Sequence, residues 1–156
     1  MPKRQIKSIL ISQPEPTSDK SPYFGLAKKY KLKIDFRPFI HVEAVAAQEF
    51  RQERVSILEH TAVILTSMHA VDHFFRMCEE MRVTVPDTMK YFCISEAVAF
   101  YLQHHIVFRK RKIFVGKVKF ADLIDLLKKH RQEKFLLPCS DLLKPSIPEL
   151  LEEEGL

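Results

Sequence analysis

Six short runs of β-branched, aromatic and aliphatic residues, separated by stretches of helical periodicity, restrict the possible folds more than any other feature of the chain. They are SILIS (8–12), KIDFRPFI (33–40), AVILTS (62–67), KYFCIS (90–95), KIFVG (112–116) and KFLLPCS (134–140). Most are apolar at successive rather than alternate positions. Neither face of such a strand is left for water, which is the pattern of a parallel sheet covered on both sides. Helices are predicted between the runs, over 22–30, 43–58, 69–81, 96–103, 120–130 and 148–154. Strands alternating with helices define an α/β fold, a parallel sheet flanked by helices.

The helix limits have local causes. Ser21 before Pro22 offers an N-cap and a first-turn proline. Ser95 before Glu96 offers a cap with an acid in the first turn, and Lys128, Lys129 and His130 sit where a helix dipole favours cations. The stretch KIDFRPFIHVE breaks the general pattern. Ile34, Phe36 and Pro38 alternate with Asp35, Arg37 and Phe39, and Pro38 has no N–H to give a central ladder. An exposed or edge strand is expected there, acting as an outgoing connector. Residues 1–42 then read as the first βα unit of one domain plus that connector, and 43–156 as a second α/β domain, with the boundary within 40–44. At the other end, PELLEEEGL reads as a short helix stopped by Gly155 in the left-handed conformation. An α/β array would continue with a strand, so the closing strand of the second domain is expected to be missing.

At 156 residues, 46% hydrophobic and 29% charged, the chain has ordinary globular composition and room for one domain plus part of another. No apolar run approaches the roughly 20 residues of a bilayer span, and MPKRQIKSILIS lacks the pattern of a signal peptide. A cytoplasmic protein with no membrane partner is expected. Cys78, Cys93 and Cys139 are odd in number and have no paired spacing, which suits reduced thiols in or near the core. Cys139 in LLPCSD has no histidine beside it and reads as inert. The net charge of +5 favours an anionic partner, whether nucleic acid, polycarboxylate or phosphate.

Three glycines are too few for a GxGxxG or a Walker A loop, which excludes the usual dinucleotide and P-loop NTPase functions. What remains is a set of small residues at strand ends: Thr66 with Ser67, Ser95, Gly116, and Ser140 with Asp141. In open α/β sheets, ligands lie beyond the carboxyl ends of the strands, where hydroxyls and free helix N–H groups bind anions. The competing reading is that the serines only cap helices. HAVDH (69–73) approaches the H-x-x-E-H metal pattern but has Asp72 in place of Glu and no third ligand, so no metal is expected. His69 reads as a rim residue and His73 as partly buried. FRKRK (108–112) is the densest positive run; without interleaved aromatics it reads as a solvated turn and not as a nucleic-acid contact.

The order of the pieces resembles uroporphyrinogen-III synthase. The likeness is carried by ILISQP, DFRPFIHVE, VILTSMHAVDHFF, MKYFCISEAVAFYL, RKIFVGKVKFADLIDLLKK and FLLPCSDLLKPSIPELLEEEG. It covers nearly the whole chain and is strongest to the Bacteroides-type form. The resemblance implies two flavodoxin-like or Rossmann-like α/β domains joined by a two-stranded ladder, with the active site between them. The chain would start in the first domain, build the second, and return. Family members have about 250 residues, enough for two domains of ordinary size.

The resemblance further implies a cofactor-free lyase reaction in the cytoplasm. Hydroxymethylbilane, which bears eight carboxylates, loses water and cyclises with inversion of its terminal ring to uroporphyrinogen III, a step toward heme. Thr66, Ser67 and Ala70 match the family's TSxxAV junction, with His69 at its rim. Ser95 and Glu96, Gly116, and Ser140 match the later strand ends, so these eight residues are the expected substrate contacts. Ser12, Gln13 and Pro14 stand where members commonly have Thr-Arg-Pro. The family's proton-donating tyrosine lies beyond Leu156, and that role does not transfer to Tyr23, Tyr30, Tyr91 or Tyr101. No catalytic residue is therefore expected within the chain, which should be poorly active alone. The full-length enzyme is expected to be a monomer, and the fragment to self-associate through its connector strand. The rival reading is a non-catalytic α/β module that binds a phosphorylated or nucleic-acid partner.

Overall fold

All six apolar runs form strands, and each strand is shorter than the run that specifies it. In the computed structural model, which describes residues 6–40, 42–107, 109–141 and 145–156, they are β1 (Ser8–Ile11), β2 (Lys33–Phe36), β3 (Ala62–Leu65), β4 (Lys90–Cys93), β5 (Ile113–Val115) and β6 (Phe135–Leu136). The helices are α1 (Pro22–Tyr30), α2 (Ala47–Gln52), α3 (Met68–Glu80), α4 (Glu96–Leu102), α5 (Ala121–Lys128) and α6 (Ser146–Glu153). The basic start at 1–5, His41 of the expected connector, Phe108 of the basic run, and Leu142, Leu143 and Lys144 of the last motif lie outside the described residues. The chain divides into two units, Met1–Ala44 and Val45–Leu156.

The first unit is a parallel βαβ unit. β1 pairs with β2 from Ser8 opposite Lys33 to Ile11 opposite Phe36. Tyr23 and Phe24 of α1 pack edge-on against the Phe36 ring, at 5.7 and 6.4 Å between centroids. The expectation of one long connector strand over 33–40 is revised here. The Lys33 N–H donates to the Lys7 carbonyl and the Arg37 N–H to the Ile11 carbonyl, at 2.9 Å each. Residues 33–36 are thus hydrogen-bonded within the unit. The strand ends at Phe36, and Pro38, which cannot donate, falls after it.

The second unit holds a four-stranded parallel sheet in the order β5-β4-β3-β6. Starting from β3, the chain steps outward to β4 and β5, then returns to the far side of β3 to lay down β6. Because crossovers between parallel strands keep one hand, reversing the direction of travel moves the connecting helix to the opposite face. The core shows this division. Val63, Leu65, Tyr91, Cys93 and Ile113 meet α3 and α4 residues such as Val71, Phe74 and Leu102 on one face. Ala62, Ile64 and Phe92 meet Leu123, Ile124 and Leu127 of α5 on the other, with Leu150 and Leu151 of α6 alongside. All four β3 residues are buried, as a non-alternating run requires.

The single helix predicted over 43–58 is broken. α2 stops at Gln52, and a 3-10 turn occupies Ile57–Glu59. Arg54 takes a left-handed conformation (φ 54°), which redirects the chain and lets Ile57 reach the core. Burial of one isoleucine outweighs the weak helical preference of this short segment.

Candidate functional site

Parallel strands all end on one edge of a sheet, so the topology alone collects the residues after β3, β4, β5 and β6. The direction of the chain reverses at the junction of β3 with β6, and the crevice beyond such a junction is where open α/β sheets bind ligands. Thr66 and Ser67 follow β3 directly, and both are half-buried. Ser67 is the N-cap of α3, its Oγ accepting the Ala70 N–H at 3.0 Å. The cap consumes one orphan donor and leaves the N–H groups of Met68 and His69 directed out of the first turn. His69 is exposed, its ring 6.5 Å from that of His73.

The other expected contacts differ among themselves. Ser95 caps α4, accepting the Val98 N–H at 3.4 Å. Glu96, in the first turn of α4 and exposed, satisfies the helix dipole with its own carboxylate. That charge disfavours a second carboxylate at the same place. Gly116 has a packing role: a Cβ there would meet the Leu123 side chain at 3.0 Å and the Ile94 carbonyl oxygen at 3.2 Å. Ser140 is exposed in the stretch after β6, and the N-cap of α6 is Pro145. The four strand ends therefore comprise two caps, a close-packed glycine and an open loop, all on one edge of the sheet.

Two further features, one at this edge and one along α3, carry no signal in the sequence. Val118, just past β5, has a φ of 91°, a conformation strained for a β-branched residue. Its N–H donates to the Ile94 carbonyl at 2.8 Å, extending the ladder past the strand end. The second feature is Asp72. Its carboxylate accepts the Tyr101 hydroxyl at 2.9 and 3.1 Å and lies 3.3 Å from His105 Nε2. The bond to Asp72 raises the Tyr101 pKa. The acid of HAVDH thus ties α3 to α4, the two helices whose caps are Ser67 and Ser95. Among the described residues, no three histidines, cysteines or acids converge as a metal site requires. Cys78 and Cys93 are buried and Cys139 is exposed; all three are free thiols. Burial pushes Cys78 up to about 11 and Cys93 to about 12, which makes both poor nucleophiles.

A parallel sheet that reverses direction at β3–β6 and carries helices on both faces defines a class, the doubly wound α/β proteins. Within that class, the family model of uroporphyrinogen-III synthase HemD matches residues 22–156, and the chain belongs to that family. A mutant uroporphyrinogen III synthase from Thermus thermophilus shares the fold, with a TM-score of 0.66 at 15% identity over 95% of this chain. The match covers 57% of that enzyme, so the present chain spans a little over half its length. No curated protein sequence matches the chain. No helix among the described residues is long and apolar enough to cross a membrane.

Proposed function

We propose that the chain supplies one side of the substrate cleft of a uroporphyrinogen-III synthase, with Val45–Leu156 as the second domain and Met1–Ala44 as part of the first. The supporting observation is the first turn of α3 at the β3–β6 junction, where Ser67 fixes the helix start and the Met68 and His69 N–H groups have no bond to the described residues. Such a terminus favours a carboxylate by about 0.3–1 kcal/mol. Hydroxymethylbilane carries eight carboxylates, and its enzyme must bring the two ends of a flexible chain together. Loss of the hydroxyl as water gives an azafulvenium. The terminal ring attacks it, is inverted through a spiro intermediate, and closes the macrocycle. The work of the protein is chiefly orientation. Thr66, Ser67, His69 and Ala70 are the contacts we favour at the α3 turn, with Ser95 and Ser140 along the same edge. Glu96 and Gly116 fit less well, for the reasons of charge and packing given above.

Uroporphyrin III, a stable octacarboxylate, is the probe for binding. It should quench tyrosine fluorescence saturably, and His69→Glu, which places a negative charge at the α3 terminus, should weaken binding about threefold or more. Absence of saturable quenching, or indifference to His69→Glu, would sink the proposed contact. With hydroxymethylbilane itself, the purified chain should form little of the type III isomer. Efficient conversion would show that half a cleft suffices, contrary to this reading. Steeply salt-dependent binding to an oligonucleotide in place of the porphyrin would favour the non-catalytic module.

A further inference from the structure

A second cleft, of about 430 Å³, lies at the opposite end of the same sheet, where β4 and β5 begin. Its residues come from the second half of α3, the loop between α3 and β4, the start of β4, and the segment between α4 and β5. Buried Met89, Cys78 and Tyr91 line it, together with Phe75 and His105, whose rings stack at 4.7 Å and 8°. Tyr91 lies tilted to Phe75 at 6.4 Å. This gives an aromatic wall suited to a planar guest.

Two polar side chains in the cleft have no hydrogen-bond or ion-pair partner among the described residues and are free to meet a ligand. The Tyr91 side chain is only 4% exposed; its hydroxyl makes no hydrogen bond to the described residues and is not among their buried unpaired atoms, so it is open to the cleft rather than sealed in the core. Lys112, half-buried at the end of the basic run, has no ion pair among the described residues. Both are hydrogen-bond donors, and both line the same cleft. Arg109 adds a cation, held among the described residues by an exposed 3.5 Å pair with Asp87. The acids Asp87 and Glu79 also line the cleft, so its charged side chains sum to zero before a ligand enters. With Asp87 engaging Arg109, Lys112 is the cation left to meet one negative group, and several would be repelled.

We propose that this cleft binds a small planar aromatic monocarboxylate. The ring lies against the Phe75–His105 stack, and the carboxylate accepts from the Tyr91 hydroxyl and the Lys112 ammonium. The site is separate from the strand-end edge assigned to the tetrapyrrole and does not depend on that assignment. Its ligand has the opposite character, small and singly charged.

The test is an NMR titration of the whole chain with indole-3-carboxylate, alongside neutral indole. Saturable shifts confined to residues around the cleft are expected at millimolar concentration or below, with indole at least fivefold weaker. Tyr91→Phe and Lys112→Met should each weaken binding about fivefold. Tyr91→Phe should leave the melting temperature of the free protein unchanged or higher, because it removes an unpaired hydroxyl. Shifts that do not saturate, map elsewhere, or persist equally in both variants would overturn the proposal. So would a marked fall in melting temperature for Tyr91→Phe, which would reveal an internal partner for the hydroxyl.

Discussion

The two units follow the same local rules and reach different ends. In the first, α1 closes on Lys31 in the left-handed conformation (φ 53°), and the Leu32 N–H returns to the Ala27 carbonyl at 3.0 Å. In the second, α6 closes on Gly155 (φ 65°), and the Leu156 N–H returns to the Leu151 carbonyl at 2.9 Å. Both are the same helix stop, with a leucine after the left-handed residue. Yet every buried residue among those described lies between Ile57 and Leu127, and none of the described residues of Met1–Ala44 is buried. The difference is one of layers. β3 and β4 have helices on both faces, whereas β1 and β2 have one helix and no further strand within their unit, and Leu10 stays 58% exposed. Two strands and a helix are near the lower limit of independent stability. Correct local structure does not by itself make a core.

The sharpest way to break this comparison is to empty the same kind of position in each unit. Phe92 is fully buried between Phe114, Phe135 and the α5 leucines. Phe92→Ala should cost about 3–5 kcal/mol by urea denaturation. Leu10→Ala, at an exposed strand position, should cost less than about 1 kcal/mol. A large loss for Leu10→Ala would mean that the first unit has a core these residues do not reveal.

Helix caps offer a second contrast, on a smaller scale. Ser67 and Ser21 both read as N-caps in the sequence, but only Ser67 accepts a backbone N–H. Ser67→Ala should therefore cost about 1 kcal/mol, while Ser21→Ala should be nearly neutral. Equal effects would show that the Ser21 hydroxyl caps α1 in solution.

Much of this fold was legible because the physics is local. Runs such as AVIL and KYFC contain no polar alternation, so burial on both faces followed directly, and the Pro22 and Ser95 signals placed helix starts to the residue. The revisions lie where a distant residue decides. Whether 33–36 pairs with β1 depends on the carbonyls of Lys7 and Ile11. The break in the 43–58 helix depends on room for Ile57 in a core built from later segments. The need for glycine at 116 comes from Leu123 and the Ile94 carbonyl, and HAVDH acquired its role only when Tyr101 came within reach of Asp72. The candidate site was legible as a set of strand ends. Which ends cap, pack or stay open was not, because strand order and helix registry are properties of the assembled sheet.

Ion pairs sharpen the contrast between the units at the smallest scale. Lys90 and Glu133 meet at 2.6 Å with side chains only 27% and 11% exposed, joining β4 to the turn before β6. Lys33 and Asp35 meet at 3.0 Å but at 75% and 43% exposure. The Lys90 ammonium, followed by the Thr61 hydroxyl, holds the Glu133 carboxyl below its ordinary 4.5. A carboxylate more acidic in the folded state than in the unfolded one contributes stability that is fully present above the unfolded value and lost as pH falls through the folded one. The stability difference between the parent chain and Glu133→Gln should thus be constant, at about 1 kcal/mol, from neutral pH down to about 5. Below 4.5 it should shrink. Asp35→Asn should change stability by a few tenths of a kcal/mol at most, as exposed pairs do, and 0.5 M salt should erase that effect while leaving most of the Glu133 effect in place. Equal salt sensitivity in the two variants would mean that water reaches the Lys90–Glu133 pair as freely as it reaches the surface of the first unit.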